Sequence, residues 1–178
     1  MVHVNSPAST KNRKRLAAGL LIFVVFPAVS AGYYFGYNVG TVKVLVTGPE
    51  VTGFRSLNVT FGAVELRSAG ALTMSAWSSV SLSAESLDIT KLKDTGPAGL
   101  ALGRMPAGKY SEARLSIVSA IGHLSGGGIA KVDVIPGAMD APLDIRAQGG
   151  LTLTFRLVVS QSGSDFYLDT ALAGIDEG

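Results

Sequence analysis

The chain has 178 residues, no cysteine and a formal net charge of +2. This length fits one domain with a real core, and the lack of cysteine excludes disulfides and thiolate metal sites. Four of the fifteen basic residues lie together within 11–15, so the other eleven are outnumbered by thirteen acidic residues, which argues against a nucleic-acid-binding surface.

The first forty residues contain this basic cluster and then a long apolar run. No charged residue occurs from Leu16 to Val42. About 20 apolar residues suffice for a membrane-spanning helix, and basic residues on the N-terminal side keep that end in the cytoplasm. We therefore predict a basic cytoplasmic tail at 1–15, a transmembrane anchor at 16–38 and an extracytoplasmic domain at 41–178.

A cleaved signal peptide is the alternative interpretation of this run. The small residues just before Gly32 resemble a cleavage site, and a signal would carry the same basic flank. Retention is favoured because the apolar run continues through Tyr33–Tyr37, with tyrosines gathered at the outer end where aromatic rings prefer the headgroup level.

Small residues recur at every fourth position in the second half of the run. Ala28, Gly32 and Gly36 share this spacing, which places them on one face of a helix, and Gly40 continues it at the start of the next segment. Small residues at this spacing let two membrane helices approach closely. We predict that these positions pack against a transmembrane helix of the same or another protein.

After Gly40 the apolar residues recur with a period of two, as in half-buried strands. The phase flips after Gly62, which predicts a β-bulge there. No helical period follows, although 92–105 could hold a loop or one helical turn. The pattern predicts an antiparallel sandwich or barrel. One core is expected to contain Val42, Val44, Leu57, Val59, Phe61, Val64, Leu66, Leu115, Ile117, Leu153 and Phe155.

Several motifs in this order resemble a known family. They are VKVLVTGPE, LNVTFGAVELRS, the lone Trp77, LDITKL and LGRMPAGKYSEARLSI. The set is similar to the prokaryotic, mainly archaeal surface domain of unknown function numbered 4382, with its L-P-A-G-x-Y-x-x-I-R-L signature at 105–115. Gly48 departs from the family's usual aspartate. The resemblance implies an immunoglobulin-like or prealbumin-like antiparallel β-sandwich outside the cell, and it implies no activity.

The Pro106–Tyr110 segment has a structural interpretation of its own. Proline and Gly108 suit a tight turn, and the tyrosine that follows can bury its ring while its hydroxyl bonds to nearby backbone. The lone Trp77 is interpreted as a core residue, with a sugar-stacking platform as the alternative.

Candidate catalytic and metal-binding groups are sparse. His123 is expected in a Gly- and Ser-rich turn with no nucleophile motif beside it. The pairs Asp140 with Asp144 and Asp165 with Asp169 lack the spacing of a calcium loop, and Glu65, Asp88, Glu112 and Asp133 occupy outward strand positions where solvated charge is expected. We predict no catalytic residue, no metal and no cofactor.

One modification signal lies on a predicted strand. Asn58-Val59-Thr60 fits the N-glycosylation sequon, and alternation places Asn58 and Thr60 on the outward face. Asn58 is the glycosylation candidate, with an unmodified solvated pair as the alternative.

Together these patterns predict a non-catalytic, single-pass membrane protein that serves as an accessory subunit of a membrane or cell-envelope assembly. Envelope proteins or glycans are further partner classes. The alternatives are a secreted filament subunit that assembles by strand addition after cleavage of the anchor, and a carbohydrate-binding module.

Replacing Gly32 and Gly36 with leucine tests the predicted packing face. The double variant keeps the segment apolar but fills the small-residue face, so we expect loss of partners or a smaller oligomer on purification in mild detergent. Leucine at Val25 and Val29 is a control of similar hydrophobicity. An unchanged partner set and oligomer size would mean that the segment is a plain tether.

Overall fold

The computed structural model describes residues 38–48, 52–70 and 76–178. Strands dominate these residues, which confirms the mainly β class. A 3₁₀ turn (Ile89–Lys91) leads into one helical turn, α1 (Leu92–Thr95). The strands are β1 (Val39–Thr47), β2 (Phe54–Ser68), β3 (Trp77–Val80), β4 (Ser86–Asp88), β5 (Ala98–Pro106), β6 (Gly108–Leu124), β7 (Ile129–Val134), β8 (Ala138–Ile145), β9 (Gly150–Ser162) and β10 (Asp165–Glu177).

The strands of the described residues join in one sheet that is nearly closed. Their order is β3-β2-β6-β7-β10-β9-β1-β5, with β4 also beside β2 and β8 also beside β6. The two end strands meet through the segment after β3, where the Ser83 amide donates to the Leu100 carbonyl at 2.8 Å and the Leu102 amide donates to the Ser81 carbonyl at 3.2 Å. The immunoglobulin-like or prealbumin-like arrangement of two packed sheets is not confirmed.

The prediction of a purely antiparallel sheet is wrong at two strand pairs. β1 runs parallel to β9, with Val44 opposite Leu153, and β7 runs parallel to β10, with Val132 opposite Phe166. The β7–β10 pair links the part of the sheet that contains β2 and β6 to the part that contains β9 and β10, and the β1–β9 pair attaches β1 and β5 to the other edge of β9. Period-two alternation is the same in either direction, so the sequence pattern could not distinguish them.

The inward face of the sheet forms one apolar core. Every predicted core position is buried except Ile117, which is half-buried and packs against the core beside the bulge. No polar or charged side chain is buried among the described residues. The interior is therefore filled by aliphatic and aromatic side chains, with Phe155, Leu57, Leu66, Ile89 and Leu100 among the largest that are fully enclosed.

The predicted bulge at Gly62 is confirmed, and β6 carries a matching irregularity. Phe61 lies opposite Ile117, while Gly62 and Val118 are the extra residues on their strands. Both Leu57 before the bulge and Leu66 after it are fully buried, so the bulge restores the inward phase. A side chain at position 62 would begin 3.0 Å from Val118 Cγ2, so the exposed Val118 side chain would have to shift to admit it.

The ambiguous stretch 92–105 contains the predicted helical turn and also a strand. Leu92 and Leu100 are buried, but Gly99, Gly103 and the exposed Leu102 hide the alternation of β5. Ile89 begins the 3₁₀ turn and is fully buried, so it belongs to the core without being part of a strand. The separate strand β8 was also not predicted.

Asp88 fastens this turn to β2, so the prediction of a freely solvated carboxylate is wrong here. Its Oδ1 accepts from Leu57 N at 3.1 Å, Thr90 N at 3.3 Å and Thr90 Oγ1 at 2.7 Å, and Lys91 Nζ lies 3.5 Å from Oδ2. Burial raises the pKa of Asp88, but these hydrogen bonds and the lysine charge outweigh it, and the pKa lies below its ordinary value.

The first prediction from the fold concerns Gly122. A side chain there would collide with the Phe54 ring, which packs edge-on against Phe166 with centroids 4.7 Å apart. Gly122→Ala is expected to lower the free energy of unfolding by about 1–3 kcal/mol through overpacking. Gly126→Ala is the control, because the space around Gly126 is open. Equal stabilities of the two variants in urea unfolding would contradict this packing.

The second prediction concerns Asp88→Asn, which replaces a charged acceptor by a neutral one. We expect a loss of about 1 kcal/mol at neutral pH. Since the folded-state pKa is lowered, the charged form adds stability above the ordinary carboxyl pKa, and that stability is lost as pH falls through the folded-state value. Urea unfolding followed by Trp77 fluorescence should show wild type and variant converging in acid. A gap independent of pH would contradict the role of charge.

Candidate interaction surface

The outward face of strands β2 and β6 carries two ion pairs and several exposed aliphatic side chains. These two strands pair along most of their length, so their outward residues stand directly opposite one another. The bulge at Gly62 divides this face into two halves. Charged side chains lie in the half that contains the C-terminal part of β2. Exposed aliphatic side chains lie in the half that contains the C-terminal part of β6.

The charged half is a ladder of two cross-strand ion pairs. Arg114 donates to Glu65 Oε2 through Nε at 2.9 Å and Nη2 at 2.5 Å, and Arg67 Nη1 lies 2.6 Å from Glu112 Oε1. Glu65 lies opposite Arg114 and Arg67 opposite Glu112, so each pair is formed by direct neighbours. The two carboxylates, predicted as solvated, are thus neutralised by facing arginines. We name these four residues the charged ladder.

Trp77 lies on the ladder rather than in the core, so its interpretation as a core residue is wrong. It is half-buried, it pairs with Arg67 across β3 and β2, and Arg114 Cζ lies 4.5 Å from the centroid of its ring. A guanidinium at this distance makes a cation–π contact. One face of the indole is therefore occupied by Arg114, and that face is not open for stacking on a sugar.

The other half of the face exposes a strip of aliphatic side chains. Val118 is 69% exposed, Ile121 47% and Ile129 70%. Ile129 lies opposite His123, two residues beyond Ile121, so the two isoleucines are diagonal neighbours on the same face. We name Val118, Ile121 and Ile129 the apolar strip. His123, expected in a turn, lies near the end of β6 and is exposed.

The sequon runs beside this apolar strip. Asn58 is exposed and lies directly opposite Ile121, and Thr60 lies opposite Ser119. The predicted outward orientation of Asn58 is therefore confirmed, whereas its glycosylation stays a prediction.

A groove of about 540 Å³ lies on the outside of β6 and β8. Its wall contains Asp140, Asp144 and Glu177 together with Lys109. Within residues 38–48, 52–70 and 76–178, no three His, Cys, Asp or Glu side chains are grouped as a metal site requires. The groove is thus a charged concavity, and the pair Asp165 and Asp169 lies apart from its walls on β10.

Tyr110 also lines this groove and confirms the structural interpretation of its motif. Its ring is buried, and its hydroxyl donates to the Pro106 carbonyl at 2.9 Å. Gly108 between them has a φ of 150°, a conformation that favours glycine. Burial raises the pKa of Tyr110. The motif therefore builds the turn between β5 and β6.

Two sets of residues were missed at the sequence level. Alternation in the segment EARLSI places Arg114 outward, but its pairing with Glu65 depends on the β2–β6 register. Val118 and Ile121 are three positions apart, so simple alternation would place them on opposite faces of β6, but Val118 is itself the extra residue of that strand. Only the paired bulge turns both of them outward.

The predicted membrane segment and its packing residues Ala28, Gly32 and Gly36 lie outside the described residues. Among the residues that are described, no helix has the length and apolar character needed to cross a membrane. Gly40 belongs to β1, where a side chain would begin 2.5 Å from the Arg146 carbonyl oxygen. Its small size is therefore explained by the sheet.

Comparison with known proteins shows the family of this chain. A family model described as Domain of unknown function (DUF4382) matches residues 39–173, a range that begins with β1 and ends within β10. No curated protein and no solved structure matches the chain. The chain belongs to this family, the domain of unknown function DUF4382.

Proposed function

We propose that this protein is a non-catalytic, membrane-anchored subunit of a membrane or cell-envelope assembly, with its β domain outside the cytoplasm. One observation carries the proposal. Across the described residues the interior of the nearly closed sheet is wholly apolar, while the charged ladder, the groove and the apolar strip all lie on its outer surface. A domain built in this way is suited to contact other molecules through its outer surface.

The filled interior supports a binding or structural role over a chemical one. Enzyme sites gather convergent polar groups in a pocket that excludes water. Here the inward positions of β1, β2, β6 and β9 are occupied by side chains such as Val44, Leu66 and Phe155, which are fully enclosed. The arginines and carboxylates of the charged ladder neutralise one another, and this arrangement favours rigidity over reactivity.

The membrane anchor is supported by the sequence before the domain. The uncharged run beginning at Leu16 follows a basic cluster, and the first strand begins at Val39, two residues after Tyr37. No separate linker sequence lies between them. On the resemblance to a mainly archaeal surface domain, we place the β domain on the outer side of a prokaryotic membrane, with the N-terminus in the cytoplasm.

The position of β1 also bears on the filament alternative. β1 pairs with β5 on one edge and with β9 on the other, so its backbone hydrogen bonds are used within its own sheet. A strand donated to a neighbouring subunit would have to come from residues before Val39. This supports the anchored subunit as the better proposal.

Intact mass and membrane extraction test the anchor. We expect the native protein to contain residues 16–37 and to stay in membranes after a carbonate wash, because a spanning helix resists removal by alkaline salt. Alkaline extraction of a peripheral protein from the same membranes is the control. A mature N-terminus at Gly32, with the protein in sheared extracellular material, would overturn the anchored subunit and favour the filament.

A further inference from the structure

The sequon and the apolar strip occupy neighbouring strands on one face of the sheet. We propose that Asn58 carries an N-linked glycan that lies over the apolar strip and shields it from water. The inference rests on the proposed export of the β domain, because N-glycan transfer takes place outside the cytoplasm. The group that covers the apolar strip would thus be covalently attached to the same chain.

The strand register places the sequon along the strip. Asn58 stands opposite Ile121, and directly opposed residues of an antiparallel pair project from the same face. Thr60 stands opposite Ser119, one residue from Val118. Asn58 is therefore aligned with Ile121, and Thr60 is aligned with Ser119, the neighbour of Val118 in the chain.

Asn58 and Thr60 are also available for modification. Asn58 is exposed, and within residues 38–48, 52–70 and 76–178 its side-chain amide makes no hydrogen bond. The sheet is held by other groups, since Asn58 contributes only backbone pairing to Ile121 and to Asp88. Nothing in the described fold therefore requires an unmodified amide at this position.

The small size of the strip favours a glycan over a second protein chain. Its three aliphatic side chains offer far less than the roughly 800 Å² per partner that a stable interface buries. A protein seated on Ile121 would also cover the neighbouring Asn58 and remove water from its unpaired amide, which is costly. A glycan is bulky, flexible and solubilising, and attachment to Asn58 places its first sugar beside Ile121.

The transfer step needs a glycosyl phosphate donor, which the exporting cell supplies on a lipid carrier together with a membrane glycosyltransferase. A bond forms between Asn58 Nδ2 and the anomeric carbon of the sugar. The bond between that carbon and the phosphate oxygen of the donor breaks, and its electron pair stays with the phosphate. Nδ2 loses one proton, which a base of the glycosyltransferase accepts, and the phosphate leaves with the lipid carrier.

The modification is tested on protein purified from native membranes. After denaturation, trypsin should release Ser56–Arg67, because cleavage follows Arg55 and Arg67 and Asn58 is the only asparagine between them. We expect this peptide to carry a glycan on Asn58 in most copies. Thr60→Ser should keep the glycan, and Thr60→Ala should abolish it. Recovery of the wild-type peptide in unmodified form alone would overturn the proposal.

Shielding is tested by the binding of an apolar fluorescent dye to the purified protein. Thr60→Ala should raise dye binding roughly twofold or more, because the strip becomes uncovered. Adding Val118→Ser and Ile121→Ser should reverse the increase. Adding Leu102→Ser is the matched control, since Leu102 is 56% exposed but lies on β5, and this change should not reverse it. Equal dye binding by wild type and Thr60→Ala would overturn the shielding role.

Protease treatment of intact cells separates this proposal from the proposed function. If the β domain is digested from outside and Asn58 is modified, both stand. If it is digested but Asn58 is unmodified, the glycan proposal fails and the proposed function stands. If the domain is protected in intact cells and digested only after lysis, the extracytoplasmic placement fails, and the glycan proposal fails with it.

Discussion

The pairing of β2 with β6 is the interaction on which the rest of the sheet depends. β3 and β4 attach to the free edge of β2, and β7 and β8 attach to the free edge of β6. Leu57 and Leu66 are an odd number of positions apart, so strict alternation would place them on opposite faces of the sheet. The extra residue at Gly62 lets both stay inside, and the matching extra residue at Val118 does the same for Leu115 and Ala120 on β6.

The same pair of bulges organises the outer surface. On one side of them, direct cross-strand neighbours form the charged ladder, with the Trp77 ring beneath Arg114. Each exposed ion pair contributes about 1 kcal/mol or less, so the ladder helps to maintain the register more than it stabilises the fold. On the other side, the extra residue turns aliphatic side chains of β6 toward solvent, next to Asn58.

The local patterns of the sequence determined the features that depend on near neighbours. Period-two alternation identified most of the strands and their inward residues, because a side chain's face depends only on its position along its own strand. The phase change at Gly62 identified the bulge for the same reason. The Pro106–Tyr110 motif identified a turn whose hydroxyl-to-carbonyl hydrogen bond spans only four residues. The prediction of a membrane segment from the uncharged run at Leu16 rests on the same kind of local information, its length and basic flank, and stays a prediction.

Only the tertiary structure decided what depends on partners distant in sequence. Alternation does not state strand direction, so the parallel pairing of β1 with β9 and of β7 with β10 could not be inferred. It also does not state register, which is what places Arg114 against Glu65, covers Trp77 and brings Ile121 opposite Asn58. In the sequence Asp88 is one of several outward carboxylates, and only the fold brings it to the Leu57 amide, which lies thirty-one residues away in the chain. The physical reason is common to all of these: hydrogen bonds and ion pairs act over a few ångströms in space, and the fold alone brings their partners together.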